Sequence, residues 1–479
     1  MLEYSYDTAG RINGADVTLS GGSPQTLIQD IAYLPFGPIS QFDYAGSYPD
    51  QDRNYDQDYR PTSLTGPLAR TYTTDPVGNI TAITEGSDTW HYGYDDLYRL
   101  LDVEQPLNTT QQSYTYDANG NRTSKDAVSY QIATNSNRLL QTGATSFSYD
   151  AMGNTTSMPN TSGDILTLSY GAHQRLVQSS NSSGPIGNYT YNGRGERVQK
   201  QYQATSTGPA TTTVFLYDES GQLLGEYDAS GNPIRQHQWL ASYPIGVIEG
   251  TNIHAIHSDH LTTPRAVADS TGTTIWRWQS NDEPFGESMA DTDPDADSNH
   301  FELGLRFPGQ FYDPESEQHY NYFRDYDPGI GRYVESDPIG LRGGKNTYSY
   351  SLVSPINYYD TSGLRAWICQ CKATPDMVGN DYTEDGKSKN CLYLCECSCE
   401  SDSLLSKAFF PRKVKVVALS NTTSKESWDE GSLVCYGQRS KPNPDNPRVR
   451  EPFFESFNVN DSMDDLVNKL DSILNCEDC

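Results

Sequence analysis

Short segments in which aromatic and polar residues alternate recur along the first 250 residues. A typical copy reads aromatic, spacer, Tyr, Asp, two residues and Gly, as in YTYDANGNR from Tyr114 and FSYDAMGNT from Phe147. Alternation with a period of two predicts a strand that places both rings on one face. The following Asp can accept backbone N–H groups, and the Gly supplies the positive φ that closes a turn. Each copy therefore predicts a β-hairpin.

This unit is repeated in tandem, which makes it a stronger signal than any single match. Further copies are YSYDTAGRI from Tyr4, YTTDPVGNI from Tyr72, YGYDDLYRL from Tyr92, YTYNGRGER from Tyr189, FLYDESGQL from Phe215 and EYDASGNPI from Glu226. A tandem series of hairpins predicts one extended, curling antiparallel strip.

The pattern changes after Gly363-Leu364. All nine cysteines lie between Cys369 and Cys479, and no histidine lies beyond His319. Strands are predicted at 391–397, 413–419 and 453–459, and apolar residues at helical spacing predict a helix over 462–474. The chain is therefore expected to be mainly β, with a small α+β, Cys-rich domain over residues 365–479.

Charge and hydropathy narrow the choice of partners. The formal net charge is −29, and an acidic surface of this kind should repel nucleic acid and anionic membranes.

Aromatic residues make up 11% of the chain, which argues against disorder. We expect no transmembrane segment because no apolar run approaches about 18 residues. The N-terminus MLEYSYDTAGR predicts no signal peptide.

The region between the hairpins and the tail carries specific motifs. It contains IHSDHLTTPRAVADSTGTTIWRWQSNDEPFGES (256–288), LRFPGQFYDPESEQHYNYFRDYDPGIGRYVESDPIGL (305–341) and NTYSYSLVSPINYYDTSGL (346–364). Together with the hairpin copies, these motifs resemble the RHS family of YD-repeat proteins. That family includes bacterial Rhs proteins, the C components of insecticidal Tc toxins and the YD shells of teneurins.

The resemblance implies a three-part organisation. Residues 1–250 would form a YD-repeat wall wound into a shell, residues 251–364 the RHS repeat-associated core, and residues 365–479 a variable C-terminal effector. Complete shells in the family are longer than this, so we expect the chain to build part of a wall. Because its first residues fall within a repeat, we expect a fragment of a longer protein.

The core sequence also suggests a cleavage site. Two carboxyl groups can hydrolyse an amide when one activates water and the other protonates the leaving nitrogen, and a nearby Arg can orient them. The resemblance implies self-cleavage that depends on Arg324 of RDYDP, Asp337 of SDPIGL and Asp360 of DTSGL. The scissile bond would be Leu364–Arg365.

Two features of these motifs qualify the expectation. Thr361 stands where the family commonly has Pro, and the loss of that φ restraint would loosen the cleavage segment. The simpler interpretation is that Asp337 and Asp360 only open local turns, as many Asp residues do.

Metal sites are not expected. His254, His257 and His260 could suggest zinc, but strand geometry would not place all three on one face, so structural hydrogen bonding is the favoured role. The run DTDPDADSN over residues 291–299 resembles a calcium loop but lacks the Gly at its sixth position. We expect a solvated insertion there, and no cofactor.

The cysteines suggest disulfides in an exported domain. With no His in the tail, a zinc site would need nearly all thiolate ligands, and the spacing C-x3-C-x-C-x-C is not a usual zinc motif, although zinc stays open. The odd count leaves one thiol free. The candidates are Cys369, Cys371, Cys391, Cys395, Cys397, Cys399, Cys435, Cys476 and Cys479.

The tail lacks the histidine that several toxin chemistries need, which excludes an HNH-type nuclease and a Ser-His or Cys-His hydrolase built from this segment alone. A carboxylate-based metal nuclease is possible, as is a non-enzymatic effector. The carboxylates in question are Asp376, Glu426, Asp429 and Glu430. The sequence identifies no activity for the tail.

The leading hypothesis is an RHS-type encapsulating shell that cleaves itself by aspartate-type autoproteolysis and frees a C-terminal effector, such as a toxin. Its partners would be an upstream shell, a delivery region or secretion machinery, and an immunity protein, with no nucleic acid bound by the shell. The protein would be secreted or associated with the cell surface. An alternative hypothesis is a surface adhesion protein with a disulfide-stapled binding module, and a third is a silent fragment left by recombination.

Overall fold

The computed structural model describes residues 2–35, 38–279, 281 and 283–364. Beyond these it describes strand segments 369–382, 388–399, 414–420, 435–436, 438–443 and 446–454. The chain divides into two compact units, Met1–Ala366 and Trp367–Cys479.

The first unit begins with 15 antiparallel strands that pair in sequence order. They are β1 (Leu2–Tyr6), β2 (Ile12–Thr18), β3 (Pro24–Tyr33), β4 (Ile39–Tyr44), β5 (Gln51–Tyr55), β6 (Pro61–Leu64), β7 (Arg70–Thr74), β8 (Ile80–Glu85), β9 (Asp88–Tyr94), β10 (Leu100–Glu104), β11 (Thr110–Tyr116), β12 (Arg122–Lys125), β13 (Val128–Ile132), β14 (Leu139–Thr142) and β15 (Thr145–Ser146).

A second sheet of 13 strands continues the same order. Its strands are β16 (Ser148–Tyr149), β17 (Thr155–Pro159), β18 (Ile165–Tyr170), β19 (Leu176–Asn181), β20 (Ile186–Tyr191), β21 (Arg197–Gln203), β22 (Thr211–Tyr217), β23 (Leu223–Asp228), β24 (Pro233–Leu240), β25 (Tyr243–Glu249), β26 (Asn252–Ser258), β27 (Pro264–Ala268) and β28 (Thr274–Arg277). We call β1–β28 the wall. Neither sheet closes on itself within the described strands.

A four-stranded antiparallel sheet, the core sheet, follows the wall. It consists of β29 (Phe311–Asp313), β30 (Gln318–Asn321), β31 (Arg324–Asp327) and β32 (Arg332–Tyr333). Short 3-10 helices cover Gly66–Leu68, Gly340–Gly343 and Ser351–Val353. The predicted mainly β architecture of a YD-repeat strip is confirmed.

The repeated turn has the predicted mechanism. In the copy between β11 and β12, Asp117 Oδ1 accepts the backbone N–H groups of Asn119 and Asn121, each at 2.9 Å. Asp117 Oδ2 accepts from the Asn121 side chain at 2.9 Å. Gly120 has a φ of 80°, a conformation that glycine adopts without the steric cost of a side chain. The Asp-x-x-Gly spacing thus fixes each hairpin locally.

A hydrogen bond from a tyrosine hydroxyl joins neighbouring hairpins, and the sequence analysis did not predict it. The Tyr that directly precedes the turn, whose first residue is Asp, Asn or Gly, donates its hydroxyl to a backbone carbonyl about one repeat earlier in the chain. Examples are Tyr94 to Ile80 at 2.7 Å, Tyr116 to Leu100 at 2.7 Å, Tyr170 to Thr155 at 2.8 Å and Tyr191 to Leu176 at 2.7 Å. The contacts explain why the second aromatic position is a Tyr, whose hydroxyl needs a partner when the ring is covered.

Strands β25 and β26 are covered on both faces. Val247 and Ile256 belong to an apolar cluster that includes Tyr326 of the core sheet. Ile248 belongs to a different cluster, with Leu27 of β3. Coverage on both faces favours a nearly continuous apolar run, which β25 has from Pro244 to Ile248.

Buried charges attach the core sheet to the wall. Arg197 of β21 forms an ion pair with Asp313 of β29, and Lys200 Nζ lies 2.8 Å from Asp313 Oδ1 and 3.3 Å from Glu315 Oε2. All four side chains are buried, so each charge depends on its partners for compensation.

The second unit has a sheet of β33 (Cys369–Tyr382), β34 (Ser388–Cys399), β35 (Val414–Ser420) and β36 (Cys435–Tyr436), and a hairpin of β37 (Gln438–Asn443) and β38 (Asn446–Phe454). The strand predicted at 391–397 falls in β34, that at 413–419 overlaps β35, and that at 453–459 overlaps β38 only at its end. The helix predicted over 462–474 lies outside the described residues. Among the described residues, none of the helices has the length and apolar character needed to cross a bilayer.

Candidate self-cleavage site

The three predicted site residues meet at the start of β31. Arg324 Nη2 lies 3.1 Å from Asp337 Oδ2 and 3.6 Å from Asp360 Oδ2. Arg324 and Asp360 are each 2% exposed and Asp337 is 6% exposed. One guanidinium therefore bridges two buried carboxylates that are separated by 23 positions in the sequence.

Asp360 shapes the segment that leads to Leu364. Its Oδ1 accepts the backbone N–H groups of Ser362 at 3.2 Å, Gly363 at 2.9 Å and Leu364 at 3.3 Å. Gly363 has a φ of 71°, and a Cβ there would come within 2.4 Å of the Asn321 carbonyl oxygen. Glycine is thus required by both backbone conformation and space.

The same segment is fastened to the core sheet. Arg324 Nε donates to the carbonyl oxygen of Gly363, and Phe323 N–H donates to that of Ser362 at 3.0 Å. Leu364 is 6% exposed. These contacts hold the backbone before the predicted scissile bond in a single position.

Asp337 faces the carbonyl oxygen of Leu364 across Gly343. A Cβ built on Gly343 would lie 2.2 Å from Asp337 Oδ2 and 2.8 Å from the Leu364 oxygen. The separation of the two oxygens therefore cannot exceed the sum of these two distances, and a side chain at position 343 would occupy the space next to both of them. Arg365, the other side of the predicted bond, lies outside the described residues.

Burial raises the pKa of Asp337 to about 6. The Arg324 guanidinium acts in the opposite direction and the Asp360 carboxylate adds to the increase, but loss of solvation is the largest cause. Asp337 can therefore carry a proton in mildly acidic solution, whereas an ordinary Asp would be ionised there.

Asp337 and Asp360 also make the turn contacts that the simpler interpretation predicts. Asp337 Oδ1 accepts the N–H of Ile339 at 2.9 Å, and Asp360 accepts the three N–H groups given above. In both residues the other oxygen, Oδ2, points to Arg324. Turn formation and convergence on Arg324 therefore occur together.

Two site residues were missed by the sequence analysis. Tyr333 of β32 donates its hydroxyl to Asp360 Oδ2 at 2.9 Å, and the Arg324 guanidinium lies 3.6 Å from the centre of its ring. Asn321 Nδ2 donates to the Tyr333 hydroxyl at 2.7 Å and to the Asp360 carbonyl at 2.9 Å. The only signal in the sequence was an Asn inside an aromatic strand, where an amide needs partners.

A second carboxyl pair lies beside the site, on Asp325 and Glu335. Asp325 N–H donates to Glu335 Oε2 at 2.8 Å. Burial raises the pKa of Asp325 to about 6 and raises that of Glu335 well above its usual range. Successive side chains of a strand point to opposite faces, so Asp325 lies on the other face of β31 from Arg324.

Comparisons with known proteins show what this part of the chain is similar to. Residues 245–362 match the family model described as Teneurin YD-shell. The matched segment includes Arg324, Asp337 and Asp360 and ends two residues before Leu364. The resemblance to RHS and YD-repeat proteins is confirmed.

Curated proteins similar to this chain include toxins. Toxin protein Tse5 of Pseudomonas aeruginosa is 35% identical over 143 residues, which are 30% of this chain and 10% of Tse5. Double-stranded DNA deaminase toxin A of Burkholderia cenocepacia is 27% identical over 324 residues, 62% of this chain and 22% of that toxin. The Escherichia coli protein YibJ is 38% identical over 138 residues, 26% of this chain and 56% of YibJ. The chain thus spans about half of YibJ and a minor part of either toxin.

Solved structures show the same fold. The crystal structure of TcdB2-TccC3 matches with a TM-score of 0.60 at 20% identity, over 76% of this chain and 21% of that one. The Photorhabdus luminescens Tc holotoxin pore matches with a TM-score of 0.60 at 19% identity, over 80% of this chain and 20% of that one. At these identities the likeness shows the fold alone.

The three histidines of the YD-shell segment do not converge. The ring of His254 lies 5.1 Å from that of Phe301, and the ring of His257 lies 5.1 Å from that of Tyr44. His260 Nε2 donates to a core carbonyl at 2.8 Å. Burial lowers the pKa of His257 to about 3, so that ring is neutral. Of the three, His260 makes the structural hydrogen bond that was expected, whereas both ring nitrogens of His257 are buried without a hydrogen-bond partner and its ring packs against an aromatic neighbour instead.

The acidic loop brings three carboxylates together. Carboxylate oxygens of Asp293, Asp295 and Asp297 lie within 4.8 Å of one another. Counted from Asp291, Ala296 occupies the sixth position with a φ of 58°, and Glu302 occupies the twelfth. Residues 296–300 are exposed, which agrees with the expected solvated surface.

The predicted disulfide cysteines lie mainly on strands of the second unit. Cys369 and Cys371 lie on β33, opposite Cys399 and Cys397 of β34 in the backbone register. The remaining cysteines on described strands are Cys391 and Cys395 of β34 and Cys435 of β36. Cys476 and Cys479 lie outside the described residues, and disulfide formation stays a prediction.

Proposed function

We propose that this chain is part of an RHS-type shell that carries residues 365–479 as an effector and cuts itself after Leu364. The observation that carries the proposal is the arrangement around the last described residues before the cut. Asp337 faces the carbonyl oxygen of Leu364, and Arg324 links Asp337 to Asp360.

The proposed reaction is hydrolysis of the Leu364–Arg365 peptide bond by two carboxyl groups. In the first step, protonated Asp337 donates its proton to the Leu364 carbonyl oxygen. Ionised Asp360 accepts a proton from a solvent water molecule, and the water oxygen bonds to the carbonyl carbon. The product of this step is a gem-diol.

The second step breaks the carbon–nitrogen bond. Asp360 returns its proton to the amide nitrogen of Arg365, and Asp337 recovers its proton from a hydroxyl of the gem-diol. The products are a carboxyl group on Leu364 and an amine on Arg365, and each Asp ends in its starting protonation state. Arg324 favours an ionised carboxylate beside it and holds the Gly363 carbonyl.

The effector role rests on the relatives. Two of the curated relatives are toxins by name, and the chain continues beyond the core into a segment of different composition. We propose a toxin that acts on other cells outside the producing cell, with an upstream shell or secretion machinery as partner and an immunity protein in the producer. The chemical activity of the tail is left open.

The test is a denaturing gel of freshly purified full-length chain. The wild type should give two fragments, and Asp337→Asn one intact band, because Asn cannot donate the proton. Asp327→Asn is a matched control, since Asp327 is also a buried Asp of the core region but does not contact Leu364. Intact wild-type chain, or equal cleavage in Asp337→Asn, contradicts self-cleavage.

A second experiment tests whether the effector stays bound to the shell after cleavage. The fragments of the wild type should elute together from a sizing column in native buffer and separate in denaturant. Immediate separation in native buffer would contradict a shell that carries its effector.

A further inference from the structure

The phenol of Tyr333 and the amide of Asn321 form a directed chain of hydrogen bonds that ends on Asp360. Asn321 Nδ2 contacts two oxygens, the Asp360 carbonyl at 2.9 Å and the Tyr333 hydroxyl at 2.7 Å. A carbonyl oxygen can only accept, so the amide nitrogen, and not the amide oxygen, faces this pair.

The direction of the chain follows from the donors available. Because an amide N–H donates to the Tyr333 oxygen, the phenol's own proton is free to point elsewhere. It points to Asp360 Oδ2, which lies 2.9 Å away. Tyr333 is 1% exposed and Asn321 is fully buried, so water does not compete with these contacts from bulk solvent.

Tyr333 remains a donor over the whole working range of pH. Burial raises the pKa of its phenol well above its usual range, and the neighbouring Asp360 carboxylate adds to this effect. The Arg324 guanidinium stacks on the same ring. One side chain therefore contacts both the arginine and the carboxylate of the proposed site.

We propose that Tyr333 is a positioning residue for self-cleavage, which holds the Asp360 carboxylate in place and fixes Arg324 above its ring, and that Asn321 sets the direction of the phenol proton. The inference rests on the proposed function. Removal of the hydroxyl takes away a hydrogen bond to a charged group and leaves Asp360 Oδ2 free to turn away from its position beside Arg324. The loss should therefore slow cleavage even in chain that is otherwise folded.

The test compares cleavage rates of Tyr333→Phe and wild type. Chain kept uncleaved in urea is diluted into native buffer, cleavage is followed on denaturing gels, and urea titration reports the folded fraction of each variant. Tyr333→Phe should slow cleavage at least about tenfold under conditions in which the variant is fully folded. A purely structural role would slow cleavage only as far as the folded fraction falls.

Tyr326→Phe is the matched control. Tyr326 is a fully buried neighbour in the core sheet whose hydroxyl donates to the Phe285 carbonyl at 2.8 Å, and it makes no hydrogen bond to Asp360. Folded Tyr326→Phe should cleave at the wild-type rate. Asn321→Ser, which removes the directing amide, should slow cleavage of the folded chain by a smaller factor than Tyr333→Phe, and it decides the question if Tyr333→Phe does not fold.

Three outcomes overturn the inference. They are a slowdown of Tyr333→Phe that its loss of folded fraction fully accounts for, wild-type rates in both site variants, and the same slowdown in folded Tyr326→Phe. If the wild type itself is not cleaved, the proposed function fails, whereas normal cleavage of Tyr333→Phe refutes only the positioning role.

Discussion

At the scale of single residues, the proposed site depends on opposing effects at Asp337. Loss of solvation favours its neutral form, and Arg324 favours its charged form. The result is a carboxyl group that can change protonation state in mildly acidic solution, where proton transfer is efficient. The sequence suggested the residue types, but the balance of burial against charge could be read only from the folded arrangement.

Cleavage should therefore slow as the pH rises above about 6. Asp337 must be protonated in the proposed first step, and its pKa is raised to about 6. Above that value the protonated fraction falls about tenfold per pH unit. Rates after dilution from urea into buffers between pH 5 and pH 8 provide the measurement, and a rate that increases through this range would contradict the role of Asp337 as the acid.

A stability prediction concerns Asp327. Burial raises its pKa to about 7, so the folded state binds a proton that the unfolded chain releases above about pH 4. Its contribution to stability is therefore present at low pH and is lost as the pH rises towards 7. Asp327→Asn, which cannot ionise, should increase the free energy of unfolding by about 1–3 kcal/mol at pH 8 and change it little at pH 4. Urea titrations at both values test this, and an equal change at both would exclude the explanation.

At the scale of elements, the hairpins were predictable and their connections were not. The Asp-x-x-Gly spacing determines each turn through contacts within five residues, such as those of Asp117. The tyrosine bonds between neighbouring hairpins, such as Tyr116 to Leu100, depend on which strands lie side by side. A local pattern cannot specify that arrangement.

Gly343 offers a test at the same scale. The loop around the short 3-10 helix Gly340–Gly343 leaves space for Asp337 to approach Leu364, and a Cβ on Gly343 would meet both oxygens. Gly343→Ala should displace the Asp337 carboxylate and reduce the cleavage rate at least about tenfold. Gly193→Ala is the control, because a Cβ there meets nothing within 4 Å. Wild-type cleavage in Gly343→Ala would argue against the close approach.

At the scale of the first unit, the site depends on how the core sheet is attached to the wall. Resemblance to a family supplied Arg324, Asp337 and Asp360, because spacing alone could not show that these residues meet. The buried ion pairs of Arg197 and Lys200 with Asp313 were not anticipated. They join residues more than a hundred positions apart, and charge patterns along a sequence do not identify such partners.

Arg197→Met should weaken this attachment. It leaves Asp313 buried without its bidentate partner, and the loss of one member of a buried pair typically costs about 3–5 kcal/mol. The cleavage rate should fall with stability because Arg324 lies in the same core sheet. The solvated pair of Arg11 and Asp7 provides the control, since Arg11→Met should cost less than about 1 kcal/mol. Thermal unfolding of the two variants compares them, and similar small losses in both would show that the buried pair does not anchor the sheet.

The most direct measurement of the central claim is the intact mass of the purified full-length chain under denaturing, reducing conditions. Self-cleavage predicts two species in the wild type, residues 1–364 ending in a free carboxyl group and residues 365–479 beginning with a free amine, and a single uncut species in Asp337→Asn. A single uncut mass in the wild type, or a cut at any bond other than Leu364–Arg365, would contradict the account.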